Sequence, residues 1–309
     1  MRVDSEDRGQ VVDRKAEARA ASWANGARPT TKGDASWRRP QPTGVVHQSP
    51  SLTALAIDRA NAQGRAALIA YWPVGYPSLS GSIEAAGALI GAGVDVLELG
   101  LPYSDPVMDG PVIERAVTAA LADGFKVDHL FEAVGSLAPS GVPLLVMSYY
   151  NPILRRGVER FARELEAAGG AGLITPDLII DEAEEWLLQS DRLGLDRVFL
   201  VAPTSSDRRL AKTAAACRGF TYATSTMGVT GQRRSLSTMA EVLVGRARQA
   251  GAERVCVGVG VSTAEQAAQV ARFANGVIVG SAFLARFSDS NRQGGHVDLA
   301  KELAQAVHR

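Results

Sequence analysis

From Ser51 onward the apolar residues of the chain fall into two alternating rhythms. Short runs with apolar side chains at nearly every position are ALIAYWPV (67–74), VDVLELG (94–100), PLLVMSYY (143–150), AGLITPD (171–177), DRVFLVAP (196–203), FTYATST (220–226), RVCVGVGV (254–261) and GVIVGSAFL (276–284). Between them the apolar positions recur every three to four residues, and the stretches tend to close on glycine. These are SIEAAGALIGAG (82–93), PVIERAVTAALADG (111–124), VDHLFEAVGSL (127–137), VERFARELEAAGG (158–170), DEAEEWLLQSDRLG (181–194), SDRRLAKTAAACRG (206–219), LSTMAEVLVGRARQAG (236–251) and TAEQAAQVARFAN (263–275). The first kind predicts strands buried on both faces, as in a parallel sheet, and the second predicts helices with one buried stripe. Eight such units close most naturally into an α/β fold of the (β/α)8 TIM-barrel type. Ser51 stands where it caps an extra N-terminal helix, LTALAIDRANAQG (52–64), expected to plug the barrel's bottom, and HVDLAKELAQAVHR (296–309) supplies a last helix. The rival is a doubly wound open sheet. It usually has fewer strands and a GxGxxG after the first, where this chain has PVGYPS.

One strand breaks its own pattern. VDVLELG carries an acid, Glu98, and the loop behind it carries Asp105 and Asp109 among Pro102, Pro106 and Pro111. Side chains alternate across a strand, so Val94, Val96 and Glu98 share one face and Leu97 and Leu99 the other. With the leucines against helices, Glu98 points into the barrel near its C-terminal rim, where barrel enzymes keep their active sites. A buried ion pair would neutralise it, but no Lys or Arg falls at an interior position of the first or third strand. An unpaired carboxylate in such a place has its pKa raised, which suits a general acid or base. The prolines stiffen the loop, with Pro111 at the first turn of the next helix. Asp109 reads either as a cap for that helix or as the second member of a two-carboxylate site, and Asp105 as a structural loop residue.

Composition narrows the field. The chain has 309 residues, 46% of them hydrophobic, enough for one large core without a second domain. Lys plus Arg equals Asp plus Glu at 33 each, so charge alone supplies no pull toward nucleic acid or an anionic membrane. Cys217 and Cys256 are too few and too distant for a disulfide framework or metal cluster, and both read as core filler. No apolar stretch approaches the roughly 20 residues of a membrane helix, so the expectation is a soluble, cytoplasmic protein. Residues 1–50 are nearly devoid of Ile, Leu and Phe and are expected to form a disordered N-terminal extension. Residues 51–309 form the expected barrel catalytic domain.

Glycines cluster after the last three strands: MGVTGQ (227–232), VGVGVS (257–262) and VGSAF (279–283). Glycine at a strand-to-helix junction lets backbone N–H groups approach an anion, and barrels habitually bind phosphate after strands 7 and 8. A phosphorylated substrate is the expectation.

The segment ELGLPYSDPVMDGP (98–111) closely resembles the hallmark E-L-G-x-P-[FY]-S-D-P-x-x-D-G-P of the tryptophan synthase alpha subunit family. Supporting matches are YWPVGYP (71–77), SYYNP (148–152), ITPDL (174–178), TYATSTMGVTG (221–231), GVGVS (258–262) and VGSA (279–282), and together they cover about residues 51–287. The resemblance implies a lyase of tryptophan biosynthesis that cleaves indole-3-glycerol phosphate to indole and glyceraldehyde 3-phosphate. It implies no cofactor of its own, and an alpha2beta2 complex with a pyridoxal-phosphate-dependent beta subunit.

Carried over by position, the resemblance makes Glu98 the catalytic acid/base and Asp109 the partner of the indole ring N–H. Tyr222 becomes a catalytic-site tyrosine beside Glu98, with a core aromatic as the alternative. Tyr71 and Met147 would line the indole pocket, or simply pack the core. Gly231, Gly260, Gly280 and Ser281 would hold phosphate, and Thr230 would close on Asp109 as part of a lid. Thr226 departs from the family, many of whose members carry Arg there, and Trp72, Pro73 and Tyr150 are bulky enough to reshape the entrance. The four histidines, His47, His129, His296 and His308, are expected to play surface roles. Two other functions stay open, a stand-alone indole-releasing lyase and a non-catalytic activator of a beta subunit.

Overall fold

The computed structural model describes residues 50–224, 233–289 and 294–308, so the extension up to residue 49 lies outside the described part. Eight parallel strands close into a barrel in strict sequence order, β1 pairing with both β2 and β8. They are β1 (Ala67–Pro73), β2 (Val96–Gly100), β3 (Leu144–Met147), β4 (Gly172–Thr175), β5 (Asp196–Val201), β6 (Thr221–Thr224), β7 (Val255–Gly258) and β8 (Gly276–Val279). The helices are α1 (Leu52–Ala62), α2 (Leu79–Gly91), α3 (Pro111–Ala122), α4 (Val127–Leu137), α5 (Tyr150–Arg156), α6 (Val158–Ala167), α7 (Glu184–Leu193), α8 (Asp207–Ala216), α9 (Arg233–Gln249), α10 (Ala264–Ala271), α11 (Ser281–Phe287) and α12 (Gly295–Ala306). The barrel expected from the hydrophobic pattern is the barrel observed.

Alternation along the strands builds the interior. Ala67 and Ile69 of β1, Val96 of β2, Leu145 of β3, Ile174 of β4, Val198 of β5, Cys256 of β7 and Ile278 of β8 form one buried cluster with Phe220. Ile57 and Ala60 of α1 belong to the same cluster, so the N-terminal helix closes the floor as expected. Truncating a fully buried isoleucine such as Ile57 to alanine costs about 2–5 kcal/mol. The floor helix is also tied electrostatically. The Ser51 hydroxyl accepts the Ala54 N–H at 2.9 Å as a helix cap and donates to Asp196 Oδ2 at 2.8 Å, at the start of β5. Arg65 grips Asp95 through both guanidinium arms at 2.6 and 2.7 Å, and Asp95 accepts the Leu68 N–H at 2.8 Å, locking the entries of β1 and β2 together.

Three boundaries differ from the pattern. α2 starts at Leu79 behind the cap Ser78, earlier than the periodicity suggests. β3 stops at Met147, and Tyr150 opens a helix because the Asp177 carboxylate accepts its N–H at 2.9 Å, a cap supplied from the next strand's loop. β8 stops at Val279 and the apolar residues after it form α11. Cys217 is the C-terminal cap of α8 and Cys256 lies inside the barrel, both as free thiols. Among the described residues no helix is long and apolar enough to cross a membrane.

Candidate active site

The residues at the C-terminal ends of the strands surround a cavity of about 180 Å³. It is lined by Tyr71, Glu98, Met147, Leu200, Tyr222, Thr224, Gly258, Ile278, Gly260, Gly280 and Ser281 from the strands and their ends, with Met108, Asp109 and Ile113 from the segment after β2. Strand register explains the gathering. Tyr71 lies opposite Glu98 and Leu200 opposite Tyr222, so these neighbours share the inward face of their strands, and the acid and both phenols line the same cavity.

Glu98 is fully buried, and neither of its carboxylate oxygens has a hydrogen-bond partner. Removal from water penalises the anion, and its pKa rises from 4.5 to about 8 with burial as the cause. The ion pair considered as an alternative does not form. Glu98 therefore carries a proton at neutral pH, within reach of a site open to solvent at the mouth.

Asp109 is half-buried on the loop between β2 and α3. The cap of α3 is Gly110, with no side-chain hydrogen bond, so Asp109 is not spent as a helix cap. Burial raises its pKa, a hydrogen bond from Tyr149 pulls it back down, and the charge of Glu114 raises it again. The Tyr149 hydroxyl donates to Asp109 Oδ1 at 3.3 Å and accepts the N–H groups of Val107 and Met108 at 3.0 and 2.8 Å. One phenol thus pins both the loop and its acid. Asp105 is exposed and takes the Ser104 hydroxyl at 2.6 Å, in keeping with a loop role.

The two tyrosines on the strands have room only because of glycines on the next strand. A methyl group on Gly100 would overlap the Tyr71 hydroxyl, and one on Gly258 would overlap the Tyr222 hydroxyl. Gly280, on the other side of Tyr71, would place a methyl 3.1 Å from Tyr71 Cδ1. Both phenols titrate well above 10, first through burial and then through surrounding charge, Asp109 and Glu98 at Tyr71 and Glu98 at Tyr222. They are neutral hydrogen-bond donors at any physiological pH. Gly260 adopts φ +71°, a left-handed turn that favours glycine, where the chain leaves β7.

The structure brings Glu98, Asp109, Tyr222, Tyr71, Met147, Gly260, Gly280 and Ser281 to the same cavity. Thr230, Gly231 and Thr226 lie outside the described residues. Sequence reasoning left Tyr149 without a role, although it sits in the SYYNP match, and it missed Leu200, whose alternation with Val198 marks it as interior. Ile113 and Thr224 carried no signal of their own. Two expectations are corrected. Trp72 does not reach the entrance. It is fully buried on the outer side of β1, donating to the Tyr76 carbonyl at 3.1 Å and packing edge-on against Phe287 at 5.1 Å. His296 is not a surface residue. It is buried between Trp72 and Phe287 with both ring nitrogens unpartnered, and desolvation lowers its pKa. His129 stays partly exposed at the start of α4, its Nδ1 accepting the Lys126 N–H at 3.2 Å, and His308 is exposed.

The site and fold define a (β/α)8 barrel whose mouth, where such barrels place their chemistry, holds a desolvated, unpaired carboxylic acid able to exchange a proton near neutral pH. Comparison with known proteins gives the particular family. The family model for the tryptophan synthase alpha chain matches residues 57–308. The chain is 54% identical over 268 residues to the tryptophan synthase alpha chain of Mycobacterium marinum, covering 86% of this chain and 98% of that one. It is 50% identical over 277 residues to that of Bifidobacterium longum, covering 87% and 95%. A solved tryptophan synthase of Mycobacterium tuberculosis superposes with a TM-score of 0.79 at 48% identity, over 84% of this chain and 100% of that one. The tryptophan synthase complex of Pyrococcus furiosus gives 0.69 at 30% identity, over 79% and 98%. The chain belongs to the tryptophan synthase alpha chain family, and is a lyase of tryptophan biosynthesis.

Proposed function

We propose that the chain cleaves indole-3-glycerol phosphate by a retro-aldol step in which Glu98 is both the acid and the base. The observation that carries the reading is the state of Glu98, a fully buried acid with no partner and a pKa of about 8. Held protonated, it delivers its proton to C3 of the indole ring. The ring, now indoleninium-like, draws in the electrons of the bond between C3 and the glyceryl chain. As that bond breaks, Glu98 takes the proton of the adjacent hydroxyl, whose oxygen becomes the aldehyde of glyceraldehyde 3-phosphate. One proton enters and one leaves, so the enzyme ends as it began.

Asp109 accepts a hydrogen bond from the ring N–H and offsets the positive charge that develops there. Met147 and Tyr71 wall the indole, and Tyr222 stands beside the acid. The backbone N–H groups at Gly260, Gly280 and Ser281, with the Ser281 hydroxyl, hold the phosphate end at the tips of β7 and β8. Thr230 and Gly231 are assigned to the lid and phosphate by resemblance alone.

The indole is handed to a tryptophan synthase beta subunit in an alpha2beta2 complex. The supporting observation is a set of exposed apolar side chains on the segments that follow β2, β3 and β4, Val107 at 84% exposure, Leu154 at 52% and Ile179 at 40%. Two free thiols suit the cytoplasm as the place of work.

The test is indole release from indole-3-glycerol phosphate by the full chain, alone and with a beta subunit. Glu98→Gln is expected to lose about a thousandfold or more in kcat, within the usual range for removing a general acid/base. The wild-type kcat/KM should hold from neutral pH to about 8 and fall above it, as the required proton is lost. A Glu98→Gln variant that keeps the wild-type rate would remove Glu98 from the chemistry.

A further inference from the structure

Tyr71 carries one atom more than its packing role needs. Its ring is held in a slot between strands, with Gly100 beneath the hydroxyl and Gly280 against the ring, and phenylalanine would fill that slot equally well. The oxygen lies in the field of both Glu98 and Asp109, which stand among the charges that hold its proton on. It makes no hydrogen bond to any described residue, and neither does Glu98. Phenols at a site of this kind normally serve a polar partner, and the Tyr71 oxygen, unlike those of Glu98, is left open to the cavity. Here the donor faces the cavity at the same interior level as the acid, Tyr71 and Glu98 being register partners on adjacent strands. An open donor next to an unpartnered acid leaves a gap shaped for a hydroxyl group that must lose its proton.

We propose that the Tyr71 hydroxyl donates a hydrogen bond to the substrate's carbinol oxygen, the one attached to the carbon that leaves the indole ring. This deepens the cleavage reading above and rests on it. As Glu98 removes the proton from that oxygen, negative charge builds there before the carbonyl forms. The phenol is a fixed donor aimed at it, and being neutral it neither competes for the proton nor perturbs the ring. The hydrogen bond strengthens as the charge grows, so it lowers the barrier more than it tightens binding. Gly100 sets the reach of the donor, since any side chain there would displace it. The phenol also selects substrates that carry a hydroxyl next to the indole, because only these satisfy it.

The experiment compares wild type with Tyr71→Phe in the full chain, alone and with a beta subunit, after equal folding is checked by urea midpoint. Two ligands are used, indole-3-glycerol phosphate and 3-indolylpropyl phosphate, which lacks both hydroxyls. The expected result is a fall of about 10²-fold in kcat, the scale of losing one oxyanion donor, with KM little changed. Affinity for the propyl phosphate should stay at the wild-type value. Tyr71→3-fluorotyrosine, which keeps the shape and strengthens the donor, should retain the rate. An unchanged kcat in Tyr71→Phe overturns the proposal. So does a loss of affinity for both ligands with kcat intact, which would mark Tyr71 as a packing residue. Glu98→Gln is run beside it. If that variant stays active the cleavage reading itself falls, whereas an inactive Glu98→Gln with a fully active Tyr71→Phe overturns the phenol's role alone.

Discussion

Keeping Glu98 dry carries a cost in folding free energy, and the cost depends on pH in a way that can be measured. In the unfolded chain Glu98 titrates at its ordinary value of 4.5, and in the folded chain at about 8. Between those values the native state holds a proton that the unfolded state has released, so stability falls as pH rises. Below pH 4.5 the group contributes no difference, and above about 8 the loss is complete. Linkage over this window makes Glu98→Gln, which is neutral at every pH, more stable than wild type. The advantage should grow by about 2 to 3 kcal/mol between roughly pH 5.5 and 7.5. Urea unfolding of both proteins at several pH values reads this directly, because other titrating groups shift both curves alike and cancel in the difference. The active-site variant should be inactive and sturdier, with the gap widening toward alkaline pH. Parallel stability curves for the two proteins would refute the reasoning. They would mean that Glu98 is solvated or partnered in solution, and the proton-transfer role would lose its physical basis.

Tyr149→Phe removes the donor to Asp109 and the acceptor for two loop N–H groups. It is expected to lower kcat/KM by roughly tenfold and to speed proteolysis within residues 103–110, and a variant with unaltered kinetics and unaltered nicking would dissociate that phenol from the loop. His296, buried without a partner, has a pKa below its ordinary 6.5, so the folded state loses stability as pH drops through that region. His296→Phe should flatten the acid limb of a thermal-melt series while leaving the midpoint at pH 8 close to wild type, and equal acid sensitivity in both proteins would contradict the burial.

The barrel was legible because its evidence is local and repeated. Every strand run is apolar at nearly every position, and Glu98 announced itself as an acid near the C-terminal end of its strand on the face it shares with Val96. What escaped depends on partners distant in sequence. The helix at Tyr150 is capped by Asp177, Asp109 is held by Tyr149, and Ile113 meets the cavity only because α3 is docked where it is. His296 looked polar and terminal, and its burial comes from Trp72 and Phe287, which no pattern near residue 296 foretells. The phosphate expectation came from glycines at the last three strand ends, but its residue-by-residue assignment, like that of the lid, came from the family resemblance, since a glycine after a strand is compatible with many roles, one of them here being simply to admit the ring of Tyr71.

The ledges beneath the two phenols bear on how substitution data from this protein would be read. Gly100 and Gly258 offer no chemical group, yet a saturation library would rank both among the most intolerant sites. Their sensitivity belongs to the neighbouring strand's tyrosines. A substitution tolerated at either glycine should surface only after the facing aromatic has shrunk, so the pairs 71 with 100 and 222 with 258 should drift together through evolution as units of lock and clearance.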